Sequence, residues 1–457
     1  MSCQSNQPDK NRGKNATDPE FAIAEGAQDI DPKAVAADLV ARHGPTGMDP
    51  RVTALIPGFD APFYQAGLAG YSDAAMRIIA RRHGCPACVT EALLDRTLLA
   101  GGRGFAKADL GEIHNNLPAG EEDAPLIGQI MGSEPAEMAA GALKMVEQGR
   151  RKAREYRDLA YEDETRHVVR EKIGDHFPVG AASRRPVSDP TTGNSDSRPT
   201  ELGGGTPPPQ IQHSIAFAAI DVNLACPVKK IAKKARGGHW LAEPAGAIRI
   251  LEAVREAVPA GVPVTVKMRR SFDDTPEMIE NFWTIFDAAY DMGCAWVTVH
   301  GRTVEQKYIG PSRWDLLKEI ASARPDRVIF GSGDIWEAGD IFRMISYTGL
   351  SGVSVARGCI GNPWIFRQAR DLMAGREPSQ PTIAEQREVL EDHFRLAMNI
   401  NRTLVRNPEQ HTGKTMRKFG IRFAQHHPQN DDVRKRMIAV SSLDDWHAVL
   451  DEFYFEG

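Results

Sequence analysis

An α/β barrel followed by a small all-helical C-terminal domain is the fold class this sequence predicts, and three observations carry it. From about residue 62 to 365, short apolar segments alternate with helical patterns, which implies a mostly parallel sheet covered by helices. Eight such apolar segments can be read off, the strand number of a TIM (β/α)8 barrel. Several of them run into polar, glycine-rich or basic residues, namely NLACP, KMRRSFDD, HGRT, GSGD and ARG. Barrels place their chemistry at these carboxyl ends of strands. A doubly wound sheet obeys the same strand-end rule and stays open on pattern alone.

The expected strands are Phe63 to Ala66, Ala87 to Thr90, Leu126 to Ile130, Ala218 to Asn223, Val264 to Met268, Trp296 to His300, Val328 to Ser332 and Gly352 to Ala356. They lie in a domain spanning residues 51–370. Before it, residues 1–50 form a polar N-terminal extension. Its first 28 or so residues are too polar to build a core. Residues 32–43 read as one helix, with Asp31 as cap and Pro32 in the first turn. An insertion at 151–213 interrupts the barrel. Its second half, 181–210, holds six prolines, four glycines and no aromatic residue, so it reads as a flexible excursion peripheral to catalysis. Residues 371–457 turn helical, with helices expected over 385–400, 412–426 and 432–457.

At 457 residues the chain is long enough for two or three structural units. The net charge of -5 means that any nucleic-acid binding needs a local basic face. A mean hydropathy of -0.39 fits a protein dissolved in water. No apolar run reaches the roughly 18 to 20 residues that span a bilayer, and the N-terminus lacks the apolar core of a signal peptide. Six cysteines are too few at this length for a disulfide framework, so a cytoplasmic location is expected. Cys85 and Cys88 have the spacing of a redox or metal pair. No second such pair exists, so no metal site is expected.

The most informative stretch is DVNLACPVKKIAKKARGG, Asp221 to Gly238. It sets Cys226 in the turn after a strand and follows it with Lys229, Lys230, Lys233, Lys234 and Arg236. Nearby cations stabilise a thiolate, and the protonated thiol can serve as a general acid; the residues alone leave both roles open. Lys267 ends the run VPVTVKMRR, where an ammonium at a barrel mouth can meet a carbonyl or developing negative charge. Arg269 falls on the same side by strand alternation. His300 opens HGRT and can donate a hydrogen bond or a proton near neutrality. Arg302 matches phosphate geometry. The segments GSGD, with Ser332, Gly333 and Asp334, and ARGCIGNP, with Ala356, Arg357 and Gly358, are where barrels often bind phosphate. Farther on, Lys414, Arg417, Lys418 and Arg422 recur at helical spacing and form a candidate RNA-binding face.

Taken together, these segments resemble the tRNA-dihydrouridine synthase family. The resemblance runs through AGYSDAAMR, TEALL, GQIMGSEPAEM, DVNLACPVKK, VPVTVKMR, HGRTVEQKYIGPSRW, GSGDI and TGLSGVSVARGCIGNPWIF to the later MRKF. Lys229 and Lys230 tilt it toward the bacterial branch with a CPxKK-like segment. The resemblance implies an FMN-bearing TIM barrel, a helical domain that helps hold tRNA, and reduction of the uracil carbon–carbon double bond with NADPH or NADH as electron donor. It implies that Cys226 protonates carbon 5 while reduced flavin delivers hydride to carbon 6. Gln129, Lys267 and His300 would contact the isoalloxazine, and Gly333, Ala356 and Arg357 the FMN phosphate, with Ser332 and Asp334 alongside. Lys229, Lys230, Lys233 and Arg302 would guide RNA, with Lys414, Arg417, Lys418 and Arg422 on the helical domain. The implied working unit is a monomer acting on tRNA, with no DNA or membrane partner. Gly67 and Leu68 stand where the family carries a proline–methionine pair beside the flavin, and Ser332 replaces a common asparagine. Two other functions fit the same barrel: an FMN oxidoreductase acting on a free pyrimidine or small enone, and a catalytically impaired RNA-binding homologue.

Overall fold

A computed structural model describes residues 23–95, 116, 119–146, 217–227, 237–402 and 406–455. Most of the 1–28 segment, the 151–213 insertion, and Lys229, Lys230 and Lys233 lie outside the described residues.

Eight parallel strands close into a barrel: β1 Phe63–Gln65, β2 Cys88–Val89, β3 Leu126–Met131, β4 Phe217–Leu224, β5 Val264–Arg269, β6 Val297–His300, β7 Ile329–Ser332 and β8 Gly352–Val355. Each pairs with its successor, β2 pairs directly with β3, and β1 pairs with β8 to complete the ring. Closure excludes the doubly wound sheet, which is open. Every barrel strand falls within a residue or two of the segment expected for it. An additional two-residue strand, Leu93–Leu94, pairs with the end of β3 and carries too little pattern to be seen in the sequence.

The outer layer includes α1 Pro32–His43, α2 Pro50–Leu55, α3 Ala74–Arg82, α4 Pro244–Ala257, α5 Pro276–Asp291, α6 Trp314–Ala323, α7 Ala338–Thr348 and α8 Trp364–Met373. α1 starts as the sequence predicts. The Asp31 carboxylate accepts from the Lys33 amide at 2.9 Å, and proline occupies the first turn. Its buried face, Ala36 and Leu39, packs against α7 and α8, so this helix is part of the barrel's shell rather than a detached extension.

The barrel has two unlike ends. Met48, Val52, Ile56 and Phe59 join Tyr64, Trp296, Val328 and Phe330 in one apolar cluster at the amino ends of the strands. The Phe59 ring stands 5.7 Å from Tyr64, 6.2 Å from Trp296 and 6.0 Å from Phe330. This plug removes large aromatic surfaces from water at that end and leaves the carboxyl ends free for polar groups. The hydroxyls of Tyr64 and Thr298, 2.7 Å apart, bridge the interior between β1 and β6.

The C-terminal helices are α9 Ile383–Arg402, α10 Pro408–Phe423, α11 Asn430–Ala439 and α12 Leu443–Phe453. The single helix expected over 432–457 is two, because Val440 to Ser442 leave the helix and Ser442 caps α12 by accepting from the Asp445 amide. Trp446 and Phe394, with ring centroids 5.1 Å apart, lie in the core of this helical group, and α9 packs on α3 of the barrel.

The segment before β3 is tied to α3 by a fully buried ion pair. Arg77 donates to Asp123 at 3.0 and 2.7 Å and also to the Ser72 carbonyl at 2.9 Å. Removing one partner strands the other charge out of water. Arg77→Met should therefore cost about 3–5 kcal/mol of unfolding free energy by denaturant titration. A loss below about 1 kcal/mol would show the pair to be dispensable.

Candidate active site

A hydrogen-bonded relay of polar side chains crosses three adjacent strands at the upper end of the barrel. Register neighbours share a face of the sheet, and Gln129, Asp221 and Thr265 are register neighbours on β3, β4 and β5. Asp221 accepts from Gln129 at 2.7 Å and from Thr265 at 2.6 Å. Burial raises the pKa of Asp221, and these two donors oppose the rise. Two residues along β4, Asn223 donates its amide to the Gln129 side-chain carbonyl at 2.7 Å. The Asn223 oxygen then accepts from the backbone amides of Ala225 and Cys226 at 2.9 and 3.1 Å. This side chain turns the chain after β4 and sets the half-buried Cys226 at the mouth. The Gly238 amide closes the turn on the Cys226 carbonyl at 2.9 Å.

Beside this relay stands a group of cations. Lys267 is the register neighbour of Asn223, and Arg269 that of His300. Burial pushes the Lys267 ammonium down to about 8; Asp221 opposes the shift and Arg269 adds to it. Arg269 clasps two loops. It donates to the Ala225 carbonyl at 2.9 Å, beside Cys226, and to the Thr303 and Lys307 carbonyls at 2.7 Å. His300 is held well below its usual pKa, first by burial and then by Arg269, Lys267, Arg302 and Arg357, so it is neutral. Its Nε2 is buried without a hydrogen-bond partner.

Arg302, expected to guide RNA, is instead buried at 1% exposure. It donates to both carboxylate oxygens of Asp334, at 2.9 and 2.7 Å, and to the Gly310 carbonyl. Its guanidinium is directed at Asp334 and Gly310. Asp334, expected on the cofactor side, spends its carboxylate on Arg302, on Arg357 at 3.1 Å and on the Ser312 amide at 2.6 Å. That carboxylate fixes both arginines in place.

Gly333 lies between them with φ of +120°, a conformation that L side chains rarely adopt. A Cβ there would stand 2.3 Å from the Ser312 hydroxyl and 3.0 Å from the His300 ring. The Ser312 hydroxyl and Arg302 Nη1 are also buried without partners. Arg357 lies over Trp336 at 4.7 Å and Tyr308 at 5.5 Å, with Ala356 just before it at the end of β8. Ser332 is buried, in register with His300 and Ser354. Gly67 and Leu68 follow β1, where a Cβ on Gly67 would lie 2.3 Å from the Thr90 carbonyl and 3.2 Å from the Gln129 oxygen. Only glycine permits that approach of backbone to relay.

The helical basic residues diverge. Lys414 is exposed, and Arg417 and Arg422 are half-buried. Lys418 is half-buried too, and its ammonium donates to the Gly70 carbonyl. Sequence reading passed over Asn223, Asp221 and Thr265, although polar residues at alternate positions inside an apolar strand were a visible signal. Cys85 and Cys88 are buried with sulfurs 3.9 Å apart. No group of three or more His, Cys, Asp or Glu among the described residues is arranged to hold a metal. No described helix is long and apolar enough to cross a membrane.

A family model described as dihydrouridine synthase matches residues 210–455, more than half of the chain. A protein of Mycobacterium tuberculosis named a probable tRNA-dihydrouridine synthase is 29% identical over 281 residues, covering 59% of this chain and 69% of that one. One of Treponema pallidum with the same name is 31% identical over 240 residues, covering 51% and 68%. Its namesake in Rickettsia conorii is 36% identical over 176 residues, covering 38% of this chain and about half, 51%, of that protein.

The depressed Lys267 ammonium has a signature in stability. Its usual value is 10.5, and it is about 8 in the folded chain. Between those values the unfolded chain holds more protons, so this residue adds stability as pH rises from about 8 to 10.5. Lys267→Met should flatten that part of the stability–pH curve in urea titrations. Superimposable curves for the two proteins would overturn the placement of the ammonium.

Proposed function

The chain belongs to the dihydrouridine synthase family, and from that premise we propose that it reduces the C5–C6 double bond of specific uridines in tRNA, using FMN and NADPH or NADH, as a cytoplasmic monomer. The observation that carries this reading is the Cys226 turn, seated by Asn223 and Arg269, whose register neighbours on the adjoining strands are Lys267 and His300.

The residues present fit a flavin phosphate ester. His300 Nε2, the Ser312 hydroxyl and Arg302 Nη1 are buried polar atoms lacking partners, and the positive φ of Gly333 brings backbone close to Ser312 and His300. Gln129, Lys267 and His300 would hold the polar edge of the ring system. The backbone at Gly333 and Ala356, with the Arg357 guanidinium, would hold the phosphate. Held there and reduced by NADPH or NADH, FMN would supply the hydride that uracil C6 accepts. Enolate character then develops across C5 and the carbonyl, and Cys226 donates the proton that C5 takes up. Arg269, beside Cys226, stabilises the thiolate left behind. Neutral His300 offers one N–H donor without adding charge to a site already rich in cations. The target base must leave its stack to enter the mouth, while Lys414, Arg417 and Arg422 would meet the tRNA backbone.

Purified protein should bind FMN and turn yellow. Gly333→Ala should weaken FMN affinity by about tenfold or more, on the order of 1.4 kcal/mol, by fluorescence quenching. FMN binding unaffected by that change would remove Gly333 from the cofactor site. Cys226→Ala should lower NADPH-dependent dihydrouridine formation in unmodified tRNA by roughly 10²–10⁴-fold while tRNA affinity stays the same. Undiminished turnover would exclude the thiol as proton donor.

A further inference from the structure

Lys418 on α10 reaches out of the helical group and ends on the loop after β1. Its ammonium donates to the Gly70 carbonyl and lies 5.2 Å from the Tyr71 ring and 5.0 Å from the Phe419 ring. Tyr71 and Phe419 meet edge to face at 5.6 Å. The same loop is held from the barrel side. The Gly70 amide donates to the Glu91 carboxylate at 2.9 Å, and the Leu68 amide donates to the Ser72 hydroxyl at 2.8 Å. Glu91 is itself fixed at its amide by Asn116, at 2.8 Å. The loop Gly67 to Tyr71 is thus gripped between one cation from the helical group and one buried carboxylate from the barrel.

That grip is continuous with the reactive thiol. Gly67 begins the loop and lies against the Thr90 carbonyl and the Gln129 oxygen. Gln129 accepts from Asn223, and Asn223 accepts from the Cys226 amide. We propose that Lys418 is a positioning residue, not an RNA contact: it fixes the first barrel loop and, through Gly67 and Gln129, the geometry around Cys226. The helical group is then a structural part of the active site as well as a surface for the substrate. The Lys418 ammonium already has a backbone carbonyl as acceptor and two aromatic rings within 5.2 Å, partners it would have to leave to meet a phosphate. The inference deepens the proposed reductase reading, and its first test does not depend on that reading.

Lys418→Met keeps the aliphatic stem over Tyr71 and removes the charge and the donor. In ligand-free protein, hydrogen exchange of the amides in residues 67–72 should quicken about tenfold, with exchange in α11 and α12 unchanged. Glu91→Gln, which weakens the grip from the opposite side, should quicken the same amides; it also decides the matter if Lys418→Met does not fold. In tRNA assays kcat should fall about tenfold, with tRNA affinity and its salt dependence unchanged, and Lys418→Arg should restore most of kcat. Unchanged exchange in both variants overturns the proposal. So does weaker tRNA binding with a salt slope reduced by about one, the mark of a lost phosphate contact. Absence of dihydrouridine formation in the unaltered protein would count against the reductase reading alone, leaving the exchange result to judge Lys418.

Discussion

Four cationic side chains crowd the upper end of the barrel, and the carboxylate of Asp334 makes that crowding tolerable. Lys267, Arg269, Arg302 and Arg357 all bear on His300. Asp334 binds two of them, and its backbone holds a positive φ of 56° to do so. An arginine buried as deeply as Arg302 persists only with its charge matched. Burial first, and these cations second, hold His300 neutral. Asp334 offsets part of the positive charge gathered at this end of the barrel.

The turn that carries Cys226 adjoins these cations and depends on a different kind of interaction. Asn223 has one side-chain amide and spends it in two directions, donating to Gln129 and accepting from two backbone amides of the cysteine turn. Arg269 then joins that turn to the loop after β6. Positions contributed by β3, β4, β5 and β6 become one rigid group because each member is hydrogen-bonded to the next. At the opposite end the aromatic plug around Phe59 excludes water and offers no polar foothold, which confines chemistry to one face.

Legibility followed the strength of the local signal. Eight strands could be read because apolar runs ended in turn-forming and polar residues, and α1 because Asp31 and Pro32 mark its start. The break between α11 and α12 was missed because Val440, Ser441 and Ser442 carry no glycine or proline. Cys226, Lys267, His300 and Arg357 could be placed at the mouth from strand ends alone. The surroundings of Arg302 and Lys418 could not be read, because a basic residue looks the same in sequence whether water, a carboxylate or a carbonyl surrounds it.

By itself the sequence determined the alternation that closes the barrel, the family to which the chain belongs, and the set of side chains that gather at the strand ends. These rest on periodicity and on motif order, which are properties of neighbours along the chain. Only the tertiary structure decided which cations are neutralised, that Asn223 and Gln129 seat the thiol, and that α10 grips the loop after β1. Those outcomes depend on partners far apart in sequence, Arg302 with Asp334 and Lys418 with Gly70, whose meeting is set by barrel closure and helix packing.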